Sequence, residues 1–424
     1  MSERCLSRIL VVLPMYGGSL PVGRYCAKAL AGLGHLVETF EAPDFYGAFT
    51  AIQNLRVTAQ RLDYLEHAFL QTVSQALLAK VETFEPDLVL AMAQAPLTRQ
   101  ALKRLRRDGV STAMWFVEDH QVFTYWQAFA PFYDFFAVIQ KEPFVSRLHG
   151  LGVENVLYLP MAADPDIHRP LDLTPAERRL YGSDLSFVGA GYPNRRAAFR
   201  ELFEFDLKIW GSDWDGEVVL APRIQFGGRR VSTEESVKVF GATTINLNLH
   251  SGLDPAALVP AGDFVNPRTF ELAMCGAFQL VSGRELLPEL FAPDEMAVFT
   301  DMPGLKEQAA HYLARPDERR AMAGRARARA LSDHTYAARM RSLLDFVAVK
   351  RPGFGKTARR EAGMAELPEG LRRELSGLLG ELGLPGDAGF ADVVTAVRSR
   401  QGQLTELETA LLFLDEWRKQ YGGR

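Results

Sequence analysis

Apolar positions along the chain follow two alternating periods. Residues 8–15 form a β-branched apolar run that suits a strand buried on both faces. Residues 22–33 then carry helical spacing, which Gly34 stops. Further strands read at 35–40, 87–91, 111–117, 135–139 and 155–158. Helical patterns fall between them at 49–84, with one break, at 97–107 and at 143–148. This alternation predicts a doubly wound parallel sheet, whose ligands bind beyond the carboxyl ends of the strands. That rule puts Tyr16-Gly17-Gly18 and Glu118-Asp119-His120 at one rim.

Between 159 and 184 the pattern lapses into charged sequence with Pro160, Pro165, Pro170 and Pro175, which reads as a linker. Alternation then resumes. Strands are expected at 185–188, 207–210, 243–249, 278–282 and 296–300. Helices are expected at 195–205, 232–240, 266–276, 305–314, 317–330 and 335–349. The expected fold is α/β: two tandem Rossmann-like domains, 1–170 and 171–350, facing across a cleft. Residues 351–424 read as a helical extension for docking or oligomerisation. Its last helix, 404–421, is apolar enough to need a partner surface, which the rest of this chain or a second copy in a homodimer would supply.

Composition narrows the function classes. At 424 residues with a formal net charge of −4, the chain has no general nucleic-acid surface. Cys5, Cys26 and Cys275 show no metal spacing or paired framework, which fits a reducing, cytoplasmic setting. The run at 9–15 is too short for a signal peptide, and no stretch reaches the length of a membrane span.

Two stretches carry the strongest candidate chemistry. In residues 263–276, Asn266 suits a helix N-cap, Pro267 the first helical position and Gly276 the far end. Arg268 and Glu271 share a neighbouring face, and the amides of a helix start suit a ligand carrying phosphates and hydroxyls. An ordinary surface ion pair fits the same spacing. The second stretch runs from the strand 185–188 through Gly189-Ala190-Gly191 to Arg195 and Arg196, a turn that can admit a diphosphate. Asn194 stands where a dinucleotide fingerprint needs its third glycine, so a nicotinamide site is not indicated. A plain tight turn with solvated arginines is the alternative.

Weaker signals complete the set. Glu118, Asp119 and His120 suit a general base or sugar-hydroxyl partners, or simply solvated loop residues. His250 ends a strand whose Asn246 and Asn248 alternate, and these polar groups need buried partners. Asp213-Trp214-Asp215 resembles a metal motif but is short enough to arise by chance, and it reads as a loop. Gly353-Phe354-Gly355-Lys356-Thr357 lacks the first glycine and the strand of a phosphate-binding loop.

The second half also resembles a known family. Phe187-Val188-Gly189 with Arg195, the run Ile245 to His250, Asn266-x-Arg268-x-Phe270-Glu271 with Cys275-Gly276, and His334-Thr335-Tyr336 are similar to the CgeB-type glycosyltransferase domain of the GT-B class. The similarity covers about 184–349. It implies transfer of a sugar from a nucleotide-sugar donor, bound mainly by the second domain, to an acceptor facing the first. That acceptor is a protein, a glycan or a small molecule. The resemblance makes Glu271 the holder of the donor ribose hydroxyls and sets Arg195 and Arg268 against the diphosphate. Many GT-B enzymes carry a second Glu eight residues earlier, where this chain has the shorter Asp263. No metal or other cofactor is expected, since cations and helix amides offset the leaving charge. Asp119, then His120, is the expected base for an inverting reaction; a retaining one needs none. Rival readings are a GT-B epimerase and a non-catalytic nucleotide-sugar-binding scaffold.

Overall fold

A computed structural model describes residues 7–259, 262–354, 367–386 and 388–421. Its first sheet holds β1 (Arg8–Val12), β2 (Leu36–Phe40), β3 (Leu88–Met92), β4 (Ser111–Phe116), β5 (Phe135–Val138) and β6 (Val156–Tyr158). The order is β2-β1-β3-β4-β5-β6 and every pairing is parallel. Continuous apolar sequence explains the burial of β1, β3 and β4 on both faces. β1 stops at Val12, short of the expected 15, since Pro14 has no N–H for a ladder bond.

The second sheet holds β7 (Leu185–Val188), β8 (Leu207–Trp210), β9 (Ile245–Asn248), β10 (Gln279–Ser282) and β11 (Ala297–Phe299). Its order is β11-β10-β9-β7-β8, again all parallel. Switch points in strand order open crevices at the carboxyl edges, so both sheets present their loops where a ligand can sit.

Helix boundaries moved for local reasons. The expected 49–84 region divides into Tyr46–Gln53 and Ala59–Phe84. The expected 195–205 helix starts at Pro193, a residue suited to the first helical position, and ends at Phe199 in looser turns. Inside the Pro-rich linker lies an unforeseen helix, Pro175–Tyr181, closed by a reciprocal Thr174–Glu177 capping box.

The helix Tyr336–Lys350, read from sequence as part of the second domain, packs on the first. Met340, Leu343 and Val347 share a core with Val22, Cys26 and Leu30 of the helix Ser19–Gly32. Tyr336 lies 5.1 Å from Tyr25 and 6.2 Å from Trp115, ring centre to ring centre. This crossing ties the two domains together through one shared core. The extension has its own small core of Leu378, Leu379, Val393, Val397 and Leu411. It also docks on the first domain through a buried ion pair, Arg8 to Asp392 at 2.9 Å. Among the described residues no helix is long and apolar enough to cross a membrane.

Candidate functional site

The helix Pro267–Met274 follows the loop after β9, so its first turn sits at the carboxyl edge of the second sheet. Asn266 caps it by accepting from the Thr269 N–H at 3.1 Å, and its amide nitrogen donates to Asn248 Oδ1 at 2.8 Å. Both ends of the Asn266 side chain are therefore structural. His250 is fully buried, and its Nε2 accepts the Asn266 N–H at 3.0 Å while Nδ1 faces Ser282 Oγ at 2.8 Å. Burial, then the charges of Arg284 and Arg195, holds its pKa well below the usual imidazole range. Neutral His250 pins the loop to the helix start and offers no free nitrogen to a ligand.

Arg268 and Glu271 do share one face, with Nη1 donating to Oε2 at 2.6 Å. The Arg268 guanidinium also lies over the Phe240 ring at 4.7 Å. The other Glu271 oxygen is 3.8 Å from Nε2 of His168, a buried linker residue, and the Glu271 side chain keeps 17% of its surface open. Tyr25, from the first domain, lies edge-on to His168 at 5.6 Å. Glu271 is thus held beside partners of both domains yet remains reachable.

Arg195 projects from the first turn of the helix Pro193–Phe199, which follows β7, and stacks on Phe187 and Tyr192 at 4.9 and 5.2 Å. Its Nε and Nη1 donate to Leu249 O and Ala190 O at 2.9 and 3.0 Å. A side chain at position 189 would run into the Phe187 ring at 2.8 Å, so Gly189 is needed for packing beneath Arg195. Burial comes first in lowering the Arg195 pKa to about 9; Tyr192 offsets part of this, and the charges of Arg268 and Arg284 lower it further. Arg284, just beyond β10, is lowered to about 10 by burial and supported by Asp119 and Asp263. Arg268 stands in the first turn of the helix, and the charges of Arg195 and Arg284 both act on His250, which is bonded to the helix start at Asn266. Three guanidinium groups thus stand near one helix start, where amide dipoles already favour an anion.

Arg196 is not part of that group. It donates to the carbonyls of Gly191, Asp215 and Asp213, and so ties down the 213–215 loop. Asp213 accepts from its neighbour Ser212 at 2.8 Å. Among the described residues no cluster of three or more His, Cys, Asp or Glu is placed to hold a metal ion. Cys5 and residues 355–357 lie outside the described residues.

The first domain faces this pocket with its own carboxyl-edge loops. Gly17 has φ +100°, a conformation that favours glycine, and Gly18 precedes the helix Ser19–Gly32 with open space around it. Glu118 is turned inward, accepting from Tyr125 Oη at 2.8 Å and from the Gln94 amide. Burial raises its pKa, against the pull of those two donors. Asp119 is more open and accepts the Gln121 N–H at 2.9 Å. His120 is buried and stacked on Phe144, ring centres 4.5 Å apart. Its Nδ1 faces Gln140 Oε1 at 3.1 Å, and its Nε2 is buried without a hydrogen-bond partner among the described residues.

Asp263 does not face the pocket as a free acid. Its Oδ1 accepts from Gln140 Nε2 at 3.1 Å and its Oδ2 from the Lys141 N–H at 2.7 Å, both first-domain donors. Sequence reasoning missed Arg284, Gln140 and His168. The carboxyl-edge rule that singled out residues 118–120 applies equally to Gln140 after β5 and Arg284 after β10. His168 sits in the linker, where periodicity carries no signal.

Comparison with known proteins agrees with this geometry. Residues 174–345 match the model of a family described as glycosyl transferase-like. The spore protein CgeB of Bacillus subtilis is 27% identical over 252 residues, covering 57% of this chain and 77% of its own. Sucrose-phosphate synthase from Thermosynechococcus elongatus superposes with TM-score 0.56 at 14% identity, over 81% of this chain and 100% of that one. HepE of Anabaena, in complex with UDP and glucose, superposes with TM-score 0.56 at 11% identity over the same shares. At such identities the solved structures establish the fold. The chain has the two-domain GT-B fold, and its residues 174–345 are similar to a glycosyl transferase-like domain.

Proposed function

We propose that the protein moves a sugar from a nucleotide-sugar donor, held by the second domain, to an acceptor received at the first-domain rim. The observation that carries this reading is the convergence of Arg195, Arg268 and Arg284 on the start of the helix Pro267–Met274, with Glu271 one turn along. Arginine forks and helix amides suit a diphosphate, and a carboxylate beside them suits ribose hydroxyls. HepE, of the same fold, binds UDP and glucose. As bond cleavage puts charge on the leaving diphosphate, these fixed cations stabilise it, so no metal is required.

Asp119 is the better-placed base, since it is reachable while the His120 ring is packed away. It would take the acceptor proton in an inverting transfer. His120 has Nδ1 committed to Gln140 and, among the described residues, Nε2 buried without a partner, so it would accept from a sugar hydroxyl only where a bound acceptor reaches that buried edge. Two copies would pair through the last helix, Glu406–Tyr421, whose Phe413, Leu414 and Trp417 are exposed. A cytoplasmic setting fits the buried, unpaired thiols Cys26 and Cys275.

The test is release of nucleoside diphosphate from a donor panel, with and without acceptor extracts, in EDTA. Acceptor-dependent release in EDTA is expected. Equal release without acceptor would favour an epimerase, and no release with tight binding would favour a scaffold.

A further inference from the structure

The residues that bridge the mouth of the cleft form one chain of hydrogen bonds. Asp263 belongs to the second domain, and both its oxygens accept from the first: Gln140 Nε2 at 3.1 Å and Lys141 N–H at 2.7 Å. The same Gln140 turns its amide oxygen to His120, accepting the backbone N–H at 2.9 Å with Nδ1 at 3.1 Å. All three side chains are buried, at 8%, 2% and 3% exposure for Asp263, Gln140 and His120. A carboxylate this buried needs its hydrogen bonds, and among the described residues both donors to it, Gln140 and Lys141, belong to the first domain.

We infer that Asp263 and Gln140 form a closure latch that sets the His120 ring as the two domains meet. The amide direction fixes the chemistry. Asp263 can only accept, so Gln140 must present its nitrogen there and its oxygen to His120. That oxygen can only accept, so His120 carries its proton on Nδ1 and leaves Nε2 as a bare lone pair. Opening the domains takes Asp263 away from the Gln140 nitrogen, so the amide is held only at its oxygen end by the His120 N–H and the ring is set less firmly. Gln140 and Asp263 are thus positioning residues, acting through His120. This inference rests on the proposed transfer for its catalytic consequence, but the latch itself needs no ligand to be seen.

It also accounts for the short acid. A carboxylate committed to closure through a backbone N–H and an amide is not free to hold donor hydroxyls, so the site asks for different chemistry at this position.

Two readouts test it. Nitroxide labels placed on surface positions of the two domains report the interdomain distance in the unliganded protein. Asp263→Ala and Gln140→Met should each lengthen and broaden that distance, and the double variant should add nothing further, because both break one unit. Asp263→Asn, which keeps volume and one acceptor, should fall between. With a donor in hand, each single variant should lower kcat by about tenfold to a hundredfold, as for a group misplaced by about an ångström. Donor binding to the second domain should stay within about threefold by calorimetry, well below the tenfold that 1.4 kcal/mol represents. Unchanged distances in both variants would overturn the latch, whatever the activity. Additive effects of the two substitutions would overturn it as well. Loss of donor binding in the wild type would instead overturn the proposed function and leave the distance result standing.

Discussion

Replacing Arg195 with Met tests the cationic pocket most sharply. Methionine keeps the packing against Phe187 and Tyr192 but removes the guanidinium. In the unliganded protein two opposing effects follow. The carbonyls of Leu249 and Ala190 lose their donors, at ~1 kcal/mol each, while the repulsion from Arg268 and Arg284 is relieved. The unliganded melting temperature should therefore move little. With nucleoside diphosphate bound, the variant loses charge-assisted hydrogen bonds worth ~1.5–3 kcal/mol, or roughly 10- to 150-fold in Kd. At ligand 100 times the wild-type Kd, binding stabilises the wild type by about 2.7 kcal/mol. A hundredfold weaker variant would gain only about 0.4 kcal/mol under the same conditions. Thermal melts with and without nucleotide, backed by calorimetry, read this directly. Arg195→Lys, a charge without the fork, should fall between. A Met variant that keeps the full ligand-induced shift would refute the diphosphate role of Arg195.

Other predictions follow from single contacts. Asp119→Asn should cut turnover about 10²- to 10⁴-fold, the usual contribution of a general base, with nucleotide affinity unchanged by calorimetry; near-normal turnover would remove it from that role. His334 gives a pH dependence. Its Nε2 donates to Leu290 O at 2.8 Å and its Nδ1 accepts from Arg339 at 2.7 Å, so the ring is neutral, and burial lowers its pKa from 6.5 to about 4. A depressed pKa means stability that is full above pH 6.5 and is lost as pH falls through 4. At ~1.4 kcal/mol per pKa unit the loss is about 3 kcal/mol, and His334→Gln should flatten that limb in denaturant titrations across pH 4 to 7. Trp417→Glu should leave light-scattering mass at one copy where the parent shows two, with activity retained.

Most of the strands and both carboxyl edges were legible because parallel strands buried on both faces write long apolar runs; the order of the strands was not, since periodicity does not say which strand pairs with which. β7 and β8 were read to the residue. The crossing of Tyr336–Lys350 onto the first domain was not, because its apolar stripe is the same whichever domain it covers. At the site, capping chemistry placed Asn266 and spacing placed Arg268 beside Glu271. Periodicity could not say that Arg196 would turn to loop carbonyls or that His250 would be used up by Ser282 and the Asn266 N–H. Those outcomes depend on where distant carbonyls and hydroxyls arrive in the fold. Asp263 is the clearest case, since its partners lie more than a hundred residues earlier in the chain.

If the second domain holds a nucleotide through the first turns of the helix Pro267–Met274, Glu271 meets the ribose hydroxyls. Calorimetric titration of ribonucleoside diphosphates and their 2′,3′-dideoxy counterparts, into wild type and Glu271→Ala, tests it most directly. The wild type should prefer the ribo form by about tenfold, the scale of one charge-assisted hydrogen bond, and Glu271→Ala should bind both forms alike. A preference that persists in Glu271→Ala, or no nucleotide binding at all, would contradict it.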